Sequence, residues 1–124
     1  MYTFSFERLE VWNQSRLLTK KIYKLTQNFP DSEKFGIAGQ LRRATISISS
    51  NIAEGYSRKS KKDQVHFYNI SFSSIMETLN QLIISNDLEY LDDNLLAELR
   101  KDIHVISLML NNLVNSIEKK IEEG

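Results

Sequence analysis

Two histidines, His66 and His104, and no cysteine leave this chain with few side chains suited to metal or nucleophilic chemistry. Asp63 stands three residues before His66, and a carboxylate-x-x-His step on a helix is half of the ligand set with which di-iron bundles hold metal. The other half is missing, because His104 has Lys101 at the matching place and no Glu-x-x-His occurs. A phosphotransfer histidine would want Lys and Gly nearby, yet His66 is followed by Phe67, Tyr68, Asn69 and Ile70, and His104 by Val105, Ile106, Ser107 and Leu108. No phosphate-cradling glycine loop or Gly-x-Ser-x-Gly elbow is present. The residues therefore predict no catalytic site, no metal and no cofactor. A bundle enzyme or metalloprotein using Asp63 and His66 remains the least favoured alternative.

A different chemistry is written in the basic residues. Arg58, Lys59, Lys61 and Lys62 crowd together beside Tyr56, preceded by Arg42 and Arg43 and, further back, by Arg16, Lys20, Lys21 and Lys24. The net charge of zero hides an asymmetry: residues 1–62 hold twelve Lys or Arg against five Asp or Glu, whereas residues 63–124 hold four against eleven. Oppositely charged helices can pair inside one bundle. Alternatively, the basic half meets phosphates or the acidic half of a neighbouring copy.

The elements that would position these charges are helical. With 124 residues and a single proline, Pro30, the chain reads as one domain over 1–124. Helix one is expected from about Glu7 to Asn28, with Val11, Leu18, Ile22, Leu25 and Phe29 inside, ended by Pro30. Asp31 or Ser32 is expected to cap a second helix with Ile37, Leu41, Ala44, Ile48 and Ile52 inside, fading near Gly55 to Lys59. Ser60 and Asp63 resemble a capping box opening a third helix, whose predicted inner stripe is Val65, Tyr68, Phe72, Ile75, Leu79 and Leu82. Asp92 caps a fourth, in which Leu96, Leu99, Ile103, Ile106, Leu110, Leu113 and Ile117 keep a heptad-like spacing. Four helices with short connections predict an all-α, antiparallel up-down-up-down four-helix bundle. No segment has the roughly 18 apolar residues of a membrane span, no secretory leader is evident, and the absence of cysteine fits a reducing cytosol. A cytoplasmic protein without a membrane partner is expected.

The second helix carries two further stripes. Arg42, Ile46, Ser49 and Ala53 fall well away from its core stripe, and Arg43, Ser47, Ser50 and Glu54 fall on the opposite flank, where Arg43 can reach ligand or its own Glu54. An apolar Ile46 facing outward among small residues predicts packing against a helix of another copy, so Arg42, Ile46, Ser49 and Ala53 are the candidate oligomer interface.

The string QLRRATISISSNIAEGYSR, from Gln40 to Arg58, resembles the signature of the four-helix bundle family found in intervening sequences of bacterial 23S ribosomal RNA genes, whose members include the accessory proteins of diversity-generating retroelements. Leu9, Val11 and Trp12 resemble that family's opening, Phe29, Pro30 and Glu33 its first turn, and Ser74 with Glu77 its third-helix Ser-x-x-Glu. Ser73 departs from the pattern, since the family usually has Gly before that Ser, and is expected to loosen a close helix contact. The resemblance implies a homo-oligomer, typically a pentameric barrel of bundles, with a basic surface suited to nucleic acid and no established enzymatic activity.

Residues and resemblance together give the expected function: a non-enzymatic, oligomeric protein that binds RNA or DNA, as an RNA-associated or reverse-transcriptase accessory factor. Arg42, Arg43, Arg58, Lys59, Lys61 and Lys62 are the candidate phosphate contacts, which position a nucleic acid without reading its sequence. The alternative is a protein-interaction module that docks a partner protein and binds no nucleic acid.

Overall fold

In the computed structural model, which describes Met1–Gly124, the periodic apolar residues close four helices and no strand forms: α1 (Glu10–Thr26), α2 (Ile37–Ser57), α3 (Lys61–Asp87) and α4 (Asp93–Glu123). No helix is long and apolar enough to cross a membrane.

The helix starts differ in how they are capped. α1 begins at Glu10 rather than Glu7, because Glu7 is used up in a 3-10 turn, Ser5–Arg8, where its Oε2 accepts the Phe4 amide at 2.7 Å. Neither Asp31 nor Ser32 caps α2. Pro30 instead opens a 3-10 turn, Asp31–Glu33, and the amide of Gly36 bonds back to the Glu33 carbonyl, so the helix starts only after Gly36, which offers no side-chain cap. The expected caps of the last two helices form: Ser60 Oγ accepts the Asp63 amide at 3.2 Å and Asp92 Oδ1 the Leu95 amide at 2.8 Å. Each satisfies one of the amide donors that a helix leaves open at its N-terminus.

The α3–α4 turn requires a left-handed residue, and Glu89, at φ 66°, supplies it. Asn86 Nδ2 braces the turn by donating to the Leu91 carbonyl and to Asp93 Oδ1. Tyr90 donates its hydroxyl to Glu33 Oε2 at 2.8 Å, tying this turn to the α1–α2 turn. The carboxylate acceptor stabilises the protonated phenol and raises the Tyr90 pKa.

Leu18, Ile22, Leu41, Ile48, Ile52, Tyr68, Ile75, Leu82, Leu99, Ile106 and Leu110 form the fully buried centre. The expected stripes of α1, α2 and α4 lie on this core, with Leu25, Ile37, Leu96 and Leu113 only half-buried. α3 behaves differently. Val65, Phe72 and Leu79 are half-buried, whereas Ser71, Ser74, Thr78, Gln81 and Ser85 are buried on the side that meets α2. Small side chains let the α2 and α3 backbones approach, and their hydroxyls stay satisfied: Ser71 Oγ donates to the Ile48 carbonyl at 2.8 Å, and Ser47 and Ser74 share a hydrogen bond of 2.8 Å. Along this seam Gln40, Ser47, Ile48 and Gly55 of α2 meet Gln81, Ser74, Ser71 and Tyr68 of α3 in turn. α1 meets α2 through Thr19 and Thr45, whose hydroxyls lie 3.2 Å apart.

Candidate nucleic-acid interface

The basic cluster sits where α2 gives way to α3. Only Arg58, Lys59 and Ser60 separate the two helices, and an open cleft of about 480 Å3 is lined there by Glu54, Ser57, Arg58, Lys59, Ser60 and Asp63. The four basic side chains are not equivalent. Arg58 Nη2 pairs with Glu54 Oε1 at 2.5 Å, its guanidinium lies 4.5 Å from the Phe67 ring centroid, and its carbonyl accepts Gln64 Nε2 at 3.1 Å. Its charge is thus partly answered within the chain. Lys59, Lys61 and Lys62 are exposed and have no carboxylate partner, as is Arg43. The expected reach of Arg43 to Glu54 does not form, because the two lie eleven residues apart on α2, about 16 Å along its axis, and the Arg43 head lies toward Gly39.

Arg42 departs most from the outward position given by helical geometry alone. It is half-buried, its Nε donates to Thr26 Oγ1 at 2.8 Å, and its guanidinium lies 4.8 Å from the Tyr23 ring centroid. A long flexible stem lets the head fold across the α1–α2 groove to a hydroxyl and a ring. The rest of its stripe stays at the surface: Ile46 is 42 % exposed, and Ser49 and Ala53 are half-buried. On the other flank, Ser47 faces α3 and not solvent, bonding Ser74 and accepting Asn51 Nδ2 at 3.0 Å.

The opposite charges of the two halves pair across the bundle at one basic residue. Lys21 Nζ reaches Asp102 Oδ2 at 2.8 Å and Glu98 Oε1 at 3.2 Å. The hydrogen bond to Asp102 is the main cause that raises the Lys21 pKa, against the lowering effect of burial. Lys20 and Lys24 are exposed without partners, while Arg16 lies 5.3 Å from the Trp12 ring centroid. Intramolecular pairing therefore accounts for little of the basic half. His66, Asp63 and His104 are all exposed, and no three metal-ligating side chains converge anywhere.

The sequence model of the 23S rRNA-intervening sequence proteins matches residues 7–112, most of the chain. The chain belongs to the 23S rRNA-intervening sequence protein family. Its fold is similar to the crystal structure of a protein of unknown function from the S23 ribosomal protein family of Bacteroides thetaiotaomicron VPI-5482, at a TM-score of 0.79 and 24 % identity, covering 85 % of this chain and 95 % of that one. No curated protein matches the chain.

The structure gives physical reasons for the residues that resemble the signature of the 23S rRNA-intervening sequence family. Gln40, Ser47, Asn51 and Gly55 belong to the α2–α3 seam, where Gln81 Nε2 also bonds Glu77 Oε1 at 3.2 Å. These positions hold two helices together, Ser47 and Asn51 by hydrogen bonds within the seam and Gly55 by close approach to Tyr68. Ser73, where a Gly is usual, is exposed on α3, so it loosens no helix contact within the chain. Apolar periodicity passes over a seam built from hydroxyls, so of the buried α3 serines only Ser74 stood out in the sequence, through its resemblance to the family's Ser-x-x-Glu.

Proposed function

We propose that this protein is a non-enzymatic, oligomeric nucleic-acid-binding protein of the cytoplasm, built as an antiparallel up-down-up-down bundle. The order of contacts along α2 and α3, rising in one helix as it falls in the other, supports the topology. The observation that carries the binding role is the trio Lys59, Lys61 and Lys62, exposed at one junction and unpaired. Three such lysines release counterions when they meet phosphates, which gives binding that is salt-dependent and indifferent to sequence. Arg43 adds a fourth free charge on α2. Arg42 and Arg58 contribute less, because each is already engaged within the chain. Replacing Lys59, Lys61 and Lys62 together with Ala should flatten the slope of log affinity against log salt by about two to three units. An unchanged affinity and slope would leave the junction as a solvated surface.

The oligomer is supported by Ile46, an exposed branched apolar side chain beside Ser49 and Ala53. A head-to-tail ring, such as a pentamer, would set the basic half of one copy against the acidic half of the next at each contact. The same observation favours the second reading, a module that docks a partner protein. Ile46→Glu should lower the assembly state in light scattering without loss of helical content. A wild-type monomer at micromolar concentration refutes self-association.

A further inference from the structure

Four residues of α1 share one outward face: Trp12, Arg16, Lys20 and Tyr23 recur at the three- and four-residue steps that stack side chains along a helix. On this face two arginines cover two aromatic rings. Arg16 lies over Trp12 at 5.3 Å and Arg42, reaching across from α2, over Tyr23 at 4.8 Å. Both rings are half-buried, and Trp12 is held by an edge contact with Phe6 at 5.0 Å. Arg42 is further fixed by its Nε bond to Thr26, and its other guanidinium nitrogens make no hydrogen bond. Between the two pairs stands Lys20, exposed and unpaired. None of these residues pairs with a carboxylate.

We propose that this face is a stacking platform for the unpaired bases of a single-stranded nucleic acid, a specification that rests on the nucleic-acid reading above. A guanidinium lying over an aromatic ring offers a planar, cationic surface beside the ring, on which a base stacks in the way it stacks on an arginine or ring in single-strand-binding proteins. The two pairs are eleven residues apart on α1, about 16 Å along the axis, which places a few nucleotides between them. Lys20 lies under the connecting phosphates. The bases of a duplex are stacked inside the helix and cannot reach such planes, so the face selects single strands. The lysines of the α2–α3 junction, by contrast, need only phosphates and serve both forms. Neither catalysis nor sequence readout is required.

Trp12 is the sole tryptophan, so its fluorescence reports on this face directly. The full chain is titrated at fixed salt with short oligo(dT) and with a duplex of the same strand length. Oligo(dT) is expected to quench Trp12 emission and the duplex to leave it nearly unchanged. Arg42→Lys, which keeps the charge but loses the plane, and Arg16→Ala, whose guanidinium lies over Trp12 without a carboxylate partner, are each expected to weaken oligo(dT) binding roughly tenfold, and Arg16→Ala to leave duplex binding as it is. Circular dichroism checks that both variants keep their helices. Replacing Lys59, Lys61 and Lys62 with Ala should weaken both ligands and leave the quenching at saturation intact. Oligo(dT) binding with unaltered Trp12 emission and no response to Arg16→Ala overturns the platform and leaves the junction reading standing. Absence of binding to either probe overturns both.

Discussion

A Cβ atom added to Gly55 would stand 2.7 Å from Cε1 of Tyr68 and 3.1 Å from the Cβ of Phe67. Gly55 is buried in the last turn of α2, and the space a side chain would fill is taken by the ring that closes the base of α3. Gly55→Ala is expected to destabilise the fold by about 1–3 kcal/mol, the range for overpacking a filled core. The gain in helix propensity, about 1 kcal/mol, offsets only part of this. A melting temperature at or above wild type would show that Tyr68 can move aside.

The hydroxyl seam between α2 and α3 gives a graded test. Ser71→Ala removes a donor and leaves the Ile48 carbonyl without its 2.8 Å partner, with an expected cost of about 1 kcal/mol. Ser74→Leu places a large side chain where Ser47 now stands 2.8 Å away and should cost more, by forcing the helices apart. Chemical denaturation that orders the two the other way would mean the seam is not close-packed.

Glu89 holds a left-handed backbone with φ 66° at the end of α3. A side chain there is unfavourable by roughly 1–2 kcal/mol relative to glycine. Glu89→Gly is expected to raise the melting temperature, whereas Glu89→Val should lower it. Since the carboxylate makes no hydrogen bond, little else is lost.

Burial, with the neighbouring Tyr56 phenol adding to it, pushes the Tyr68 pKa up to about 12 from its ordinary value of 10.0. The folded state therefore holds this proton more tightly than the unfolded chain. Its contribution is fully present below pH 10 and is lost as pH rises through the window to about 12. Tyr68→Phe should make stability fall less steeply over that window, measured as melting temperature between pH 9 and about 11.5.

Glu54 restrains Arg58 through their ion pair. Glu54→Gln should free the guanidinium, tighten nucleic-acid binding and steepen the salt slope by about one unit. The ion pair is exposed on both sides, so stability should change by less than about 0.5 kcal/mol. Unchanged binding with a normal fold would place Arg58 outside the contact surface.

The sequence by itself determined the helices, the cores of α1, α2 and α4, and the caps at Ser60 and Asp92, because these depend on interactions within a few residues: the 3.6-residue period, a side-chain oxygen three residues from an amide, a proline ring. It also carried the family, through the Gln40–Arg58 string. Only the tertiary structure decided which side of α3 is buried, since Ser71, Ser74 and Thr78 become interior only when α2 supplies the carbonyl and hydroxyl of Ile48 and Ser47 within reach. The same holds for charge. Sequence placed Arg42 and Arg58 among the free cations, although Glu54 stands four residues before Arg58, a spacing at which the two pair along one helix. The long arginine stems carry the guanidinium several ångströms from the backbone, and whether it meets Tyr23, Thr26 or Phe67 or open solvent is settled by the packing of neighbouring helices. Lys59, Lys61 and Lys62 stand exposed at the short α2–α3 turn with no carboxylate partner, because the surrounding packing brings none within reach.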